Sequence, residues 1–152
     1  GVIFRFGNYA GDTMNFGIAA ERLRKEGIDA RIVVVTDDIA SADDPSKRRG
    51  IAGDFSVFKA LGAAAAEGLD IDEVERIGNA ANDATRTLGV AFSGCTMPGA
   101  DSPLFEVPEG HLGLGLGIHV QPGIVDIPLP RASEPAEPLG TRLLATAPDD
   151  GR

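Results

Sequence analysis

The chain opens on an apolar run that is rich in β-branched and aromatic side chains, Val2-Ile-Phe-Arg-Phe6, which predicts a short strand. Gly7-Asn8-Tyr9-Ala10-Gly11-Asp12 follows as a turn-rich loop. From Thr13 to about Glu26, Met14, Ile18 and Leu23 recur at helical spacing, and Gly27 is suited to terminate the helix. Ala30-Arg-Ile-Val-Val-Val35 then reads as a second buried strand ending at Thr36-Asp37-Asp38. Strand, helix and strand in so short a span make a βαβ unit, which implies a parallel pair with a right-handed crossover.

Residues 37–53 are polar and form the longest irregular stretch, and loops of that length are often functional. Two helices are expected over 54–67 and 70–87, the second opening on an acidic first turn at Asp70, Asp72 and Glu73. The Ala63–Ala66 run suggests close helix packing. From Leu88 the pattern turns strand-like over Gly89–Phe92, Pro103–Val107 and Leu112–Val120, with Pro and Gly between. Prolines at 128, 130, 135 and 138 then precede a short apolar stretch, Leu139–Ala145, and no internal repeat is present. The expected class is α/β: a parallel βαβ start with helices, followed by a mixed or antiparallel strand region.

Charge narrows the functions. Fourteen Lys and Arg stand against 23 Asp and Glu, a formal net charge of -9, so the chain lacks the positive footprint that nucleic acid or an anionic membrane requires. A phosphorylated co-substrate stays compatible, because local arginines or backbone amides can hold phosphate. A single cysteine, Cys95, excludes an internal disulfide framework and fits a reducing compartment. No apolar run approaches the roughly 20 residues of a membrane span, and no secretion signal is visible, so a cytoplasmic location is expected. The first residues already read as strand and the last as a loop, which suggests an internal piece of a longer protein.

Two residues draw attention as chemistry. Asp12 lies between a strand end and a helix start, where open α/β sheets bind ligands. Asp is also a preferred helix N-cap, and the two roles are compatible. His119 sits in Gly113-Leu-Gly-Leu-Gly-Ile-His-Val-Gln-Pro-Gly123. On a strand, Gly113, Gly115, Gly117 and His119 would share one face, bare enough for close approach of a ligand, although a hydrogen-bonded structural histidine also fits. The glycine spacing is not that of a dinucleotide loop. Asp37-Asp38 reads as solvated loop acids, Lys47-Arg48-Arg49 as a surface charge run, Cys95 as a small buried residue and His111 as an exposed turn residue. No Cys/His spacing indicates zinc and no Walker-type loop indicates nucleotide binding.

Four segments in order, Gly7–Phe16, Arg48-Arg-Gly-Ile-Ala52, Gly94-Cys-Thr-Met-Pro98 and Gly115-Leu-Gly-Ile-His-Val-Gln-Pro-Gly-Ile124, together resemble the substrate-binding domain of dihydroxyacetone (glycerone) kinases. The resemblance covers roughly residues 1–145, leaving 146–152 as loop or linker. It implies that His119 adds through a ring nitrogen to the substrate ketone as a hemiaminal, and that Asp12 accepts the proton of the phosphorylated hydroxyl. It places the substrate beside Gly7, Asn8, Gly11, Asp12 and His119, with no metal on this chain. It further implies a phosphoryl donor (ATP, or ADP in a phosphotransferase relay, with Mg²⁺) on a separate helical nucleotide-binding domain or subunit. A homodimer, and a Gly-rich upstream segment with a second catalytic histidine, are also implied. The chain departs from the family pattern at Val120-Gln121, where Gly-Glu is common, and at Gly7, where many members have Lys. Gly7-Asn8 is similar to the branch acting on four-carbon keto sugars such as erythrulose. A non-catalytic paralogue that senses a ligand or co-regulates transcription is the other reading.

Overall fold

The computed structural model describes residues 1–117, 121, 123–131 and 136–147. Strand β1 (Val2–Gly7) leads into helix α1 (Ala10–Lys25), which returns to strand β2 (Ala30–Val35). β1 and β2 pair in parallel, with Val2 opposite Ala30 and Gly7 opposite Val35. Helices α2 (Gly53–Ala66) and α3 (Ile71–Ala84) follow the long loop, and strands β3 (Val90–Ala91), β4 (His111–Leu114) and β5 (Val125–Pro128) make an antiparallel sheet before helix α4 (Ala136–Ala145). The expected α/β class, parallel first and antiparallel after, is what the chain adopts.

The period-2 alternation of the first two strands sorts their side chains onto two faces. Phe4 and Phe6 meet Phe16 of α1, the Phe6 and Phe16 rings stacking with centroids 4.9 Å apart. Ile3, Val33 and Val35 face the other way and pack with Val57, Leu61, Ala64 and Val74 of α2 and α3. The alanine run serves this packing, since Ala64 is buried within the cluster. Gly78 of α3 is placed so that an added Cβ would strike Leu61. Asp70 caps α3 by accepting from Glu73 N at 2.9 Å, and Gly27 ends α1 at φ +80.

Among the described residues β1 has a strand on one side only. Beside it Met14 and Ile18 of α1 and Phe55 and Phe58 of α2 are exposed. Residues 85–91 run alongside the end of β2 and join the two sheets: Thr87 N donates to Asp37 O, Ile39 N to Thr87 O, and Gly115 N to Gly89 O. Arg86 Nε donates to Thr146 O at 2.9 Å and fastens the segment after α4.

Three strand expectations change. Residues 103–107 form no strand: Pro103 and Pro108 bound them, and proline offers no N–H to a ladder. Residues 89–92 shorten to a two-residue strand. Within the described part of the run 112–120, strand ends at Leu114, because Gly115 takes φ +81 and turns the chain out of the sheet; residues 118–120 lie outside the described residues. Glycines 113, 115 and 117 therefore do not share one strand face. The expected linker over 146–152 lies largely outside the described residues.

Candidate functional site

The carboxyl ends of β1 and β2 bring three loops together. Asn8 N donates to Val35 O at 3.0 Å, and its side-chain amide donates to Arg48 O at 2.9 Å and Ser46 O at 3.2 Å. Asn8 thus straps the 41–50 loop across the end of β1. The backbones touch there, for a Cβ at Gly50 would lie 2.5 Å from Gly7 Cα, and one at Gly7 would lie 3.1 Å from the Tyr9 ring. Only glycine permits that approach.

Asp37 and Asp38, read from sequence as solvated acids, have no exposed surface. Asp37 Oδ1 accepts from Ile51 N at 3.0 Å and Oδ2 from Gly53 N at 2.9 Å, while Thr87 Oγ1 donates to Oδ2. The carboxylate therefore satisfies amides at the start of α2, where the helix dipole favours negative charge. Asp38 Oδ1 accepts from Ala40 N, and Oδ2 receives Arg49 through Nε at 2.9 Å and Nη2 at 2.7 Å. The Lys47-Arg48-Arg49 run is likewise not a surface patch. Lys47 alone is exposed; Arg48 is buried and donates to Ala42 O and Asp43 O, and burial holds its guanidinium pKa below the usual value.

Asp12 lies in the first turn of α1 and is half-buried, but it does not cap the helix: Tyr9 holds that position, with no side-chain cap bond. Asp12 sits instead within electrostatic reach of Asp54, whose carboxyl is pushed up by burial while Arg5, 2.8 Å away, pulls it down. Burial also pushes the Tyr9 phenol up, against the opposing field of Arg49, in surroundings that include Asp38, Asp54 and Asp37. Gly11 is exposed in the same turn. A cavity of about 270 Å³ opens between Ala40, Ser41, Lys47, Arg49 and Gln121. Its size is at the small end for ligand pockets, which suits a compact polar molecule.

Gly7, Asn8, Gly11 and Asp12 are thus gathered at one end of the parallel sheet, beside the Asp38–Arg49 pair. His119 lies outside the described residues. His111 opens β4, half-buried, with Nδ1 3.0 Å from Glu109 O, and Cys95 is exposed rather than buried. Sequence reasoning missed Asp37, Asp38 and Arg49. Their signal was present in the strand-end address of the acids and in Gly50 and Gly53, which leave room for the loop to fold back. Among the described residues no group of three or more His, Cys, Asp or Glu is placed to hold a metal ion, and no helix is long and apolar enough to cross a membrane.

A fold of this class with its polar groups at the strand carboxyl ends fits a small-molecule site. The chain belongs to the Dak1 domain family, whose model matches residues 1–152. It is 59% identical to D-erythrulose kinase of Mycolicibacterium smegmatis, over 98% of this chain and 26% of that protein. It is 48% identical to the dihydroxyacetone-binding subunit DhaK of PTS-dependent dihydroxyacetone kinase 2 of Listeria innocua, over 82% of this chain and 38% of the subunit. Among solved structures, the dihydroxyacetone kinase of C. freundii superposes with a TM-score of 0.87 at 37% identity, over 97% of this chain and 27% of that one. The dihydroxyacetone kinase operon co-activator DhaQ superposes at 0.84 and 32% identity, over 94% and 44%. The chain spans about a quarter of the length of the erythrulose kinases it matches.

Proposed function

We propose that this chain forms part of the ketose-binding domain of a keto-sugar kinase acting on dihydroxyacetone or erythrulose. The observation that carries this reading is the 59% identity to D-erythrulose kinase across almost the whole chain. His119 is the proposed tether. A ring nitrogen bonds to the ketone carbon, the carbonyl π bond breaks, the new oxygen takes a proton, and the other ring nitrogen releases its proton, so nothing leaves the substrate. This selects short ketoses over simple alcohols. Asp12, half-buried at the positive end of α1, is the proposed acceptor of the hydroxyl proton during phosphoryl transfer. Gly7, Asn8 and Gly11 supply the backbone against which the substrate lies. The donor, ATP or ADP with Mg²⁺, is assigned to a separate nucleotide-binding domain or subunit, and the parent protein to a cytoplasmic homodimer.

The test uses the longer parent protein with a ketose carrying ¹³C at its carbonyl carbon. Tethering moves that resonance from the ketone region into the sp³ region, and His119→Gln abolishes the change. An unaltered ketone signal with both dihydroxyacetone and erythrulose would overturn the tether. The similarity to the DhaQ co-activator supports a second reading, a ligand-binding co-regulator. Adduct formation without phosphorylation, in the presence of the nucleotide-binding partner, would favour it.

A further inference from the structure

We propose that Arg49 is the positioning residue of this site. Clamped by the buried Asp38, it seats the Gly115–Gly117 turn, which ends two residues before His119 in the sequence. The backbone of Arg49 is fixed first: its N donates to Ser41 Oγ at 2.9 Å and its O accepts from Asp38 N at 3.0 Å. Its side chain is then held by two bonds to one oxygen of Asp38. What remains of the guanidinium faces glycine backbone. Nη2 points at Gly115 O at 3.4 Å, and a Cβ at Gly117 would lie 2.5 Å from Nη1 and 2.9 Å from Cζ.

The turn is built to rest there. Gly115 sits at φ +81 with an added Cβ only 2.8 Å from Ala40 Cβ, so the chain leaving β4 presses against the loop that carries Arg49. Ile124 N donates to Leu114 O at 2.7 Å and Gly117 N to Gln121 O at 3.2 Å, which pins the turn at both of its ends. Arg49 lies against that turn. A buried ion pair is poor support for stability as such, since apolar replacements are often neutral, and its best-attested use is fixing register. A planar fork laid on side-chain-free backbone fits that use. Arg49 also lines the small cavity with Lys47 and Gln121, and the role proposed for it is exerted through the Gly115–Gly117 turn.

This inference rests on His119 as the tether, and the test separates the two. Arg49→Met, Arg49→Lys and Gly117→Ala are compared in the full-length parent by ¹³C adduct titration with labelled ketose. Kinetics and amide hydrogen exchange over 115–124 complete the comparison. Misplacement near a reacting centre by ~1 Å can cost about 10²-fold. The expectation is that adduct affinity falls about tenfold or more in all three variants, with KM for the ketose rising and KM for the nucleotide unchanged. Lysine fails to rescue because it lacks the fork. Gly117→Ala keeps Asp38 and Arg49 but also runs into Gln121 Oε1, so if Arg49→Met does not fold, Arg49→Lys, which keeps the charge without the fork, decides the matter. Wild-type adduct affinity in Arg49→Lys and in a folded Arg49→Met would overturn the inference. A wild-type protein with no adduct would defeat the tether instead, and exchange then decides: faster exchange at Gly115 and Gly117 in the variants supports the seating role, and unchanged exchange overturns it.

Discussion

Asp37→Ala tests the claim that one carboxylate organises the start of α2. The substitution strips three acceptor contacts, leaving Ile51 N and Gly53 N without their acceptor and Thr87 Oγ1 without its partner, all around a side chain with no exposed surface. A hydrogen bond to a charged group contributes about 1.5–3 kcal/mol, and an unsatisfied buried donor costs about 1–3 kcal/mol. These are not additive, so we expect a loss of roughly 3–5 kcal/mol, the scale of breaking a buried polar network. Against a typical domain stability of about 5–15 kcal/mol that is severe. Asp37→Asn should lose about half as much, because its amide keeps one acceptor but turns a donor toward a donor. Urea unfolding followed by circular dichroism reads both. With a slope of about 1–3 kcal/mol per molar urea, Asp37→Ala should shift the midpoint by about 2 M. A shift worth less than about 1 kcal/mol would refute the reasoning, because the helix start would then owe little to those oxygens.

Other predictions concern single side chains. Gly62 and Gly78 both lie in helices, yet a Cβ meets nothing within 4 Å at Gly62 and runs into Leu61 at Gly78. Gly62→Ala should therefore stabilise by about 0.5–1 kcal/mol and Gly78→Ala destabilise by about 1–3 kcal/mol, measured by thermal unfolding. Burial raises the Asp54 pKa above 3.8, so between the unfolded and folded values the native state holds a proton that the unfolded state releases. Stability should thus fall as pH rises from 3.8 through the folded value, and Asp54→Asn should remove that part of the slope in denaturation midpoints taken across the window. Arg48→Met leaves the carbonyls of Ala42 and Asp43 without their donor, so limited proteolysis should cut the 41–50 loop faster while the rest of the chain stays protected. Equal cleavage rates would count against Arg48 as the brace of that loop.

The parallel half was legible because its signals are local. Val2–Phe6 and Ala30–Val35 are dense in β-branched and aromatic residues, and the intervening helix carries its own period and a glycine stop. The antiparallel half was blurred by glycine and proline. Gly115 could continue a strand or turn it, and only the positive φ forced by packing against Ala40 and Ile124 decides. Of the residues at this end of the sheet, Asp12 was picked out by its address at a strand end, and Gly7, Asn8 and Gly11 by the family resemblance alone. Asp37, Asp38 and Arg49 were not, because their burial depends on a loop folding back to deliver amides from positions 51 and 53. An acid in a polar stretch looks the same in sequence whether water or backbone satisfies it. The capping role expected of Asp12 failed for a smaller reason: α1 begins three residues earlier than its apolar pattern shows, at Ala10.

The half-paired strand β1 has a practical corollary. Its sequence offers one charge, Arg5, and that side chain is committed to Asp54 and to the face of Phe58 rather than standing guard at the rim. Unguarded rims of this kind recruit further strands, and the neighbouring exposed Phe55 and Phe58 add adhesive surface. Concentration therefore becomes a variable in any experiment on the free 152-residue chain. Light scattering across a dilution series should show assemblies that shrink on dilution, and Val2→Lys at the exposed start of β1 should keep the chain monomeric at concentrations where the unaltered chain associates.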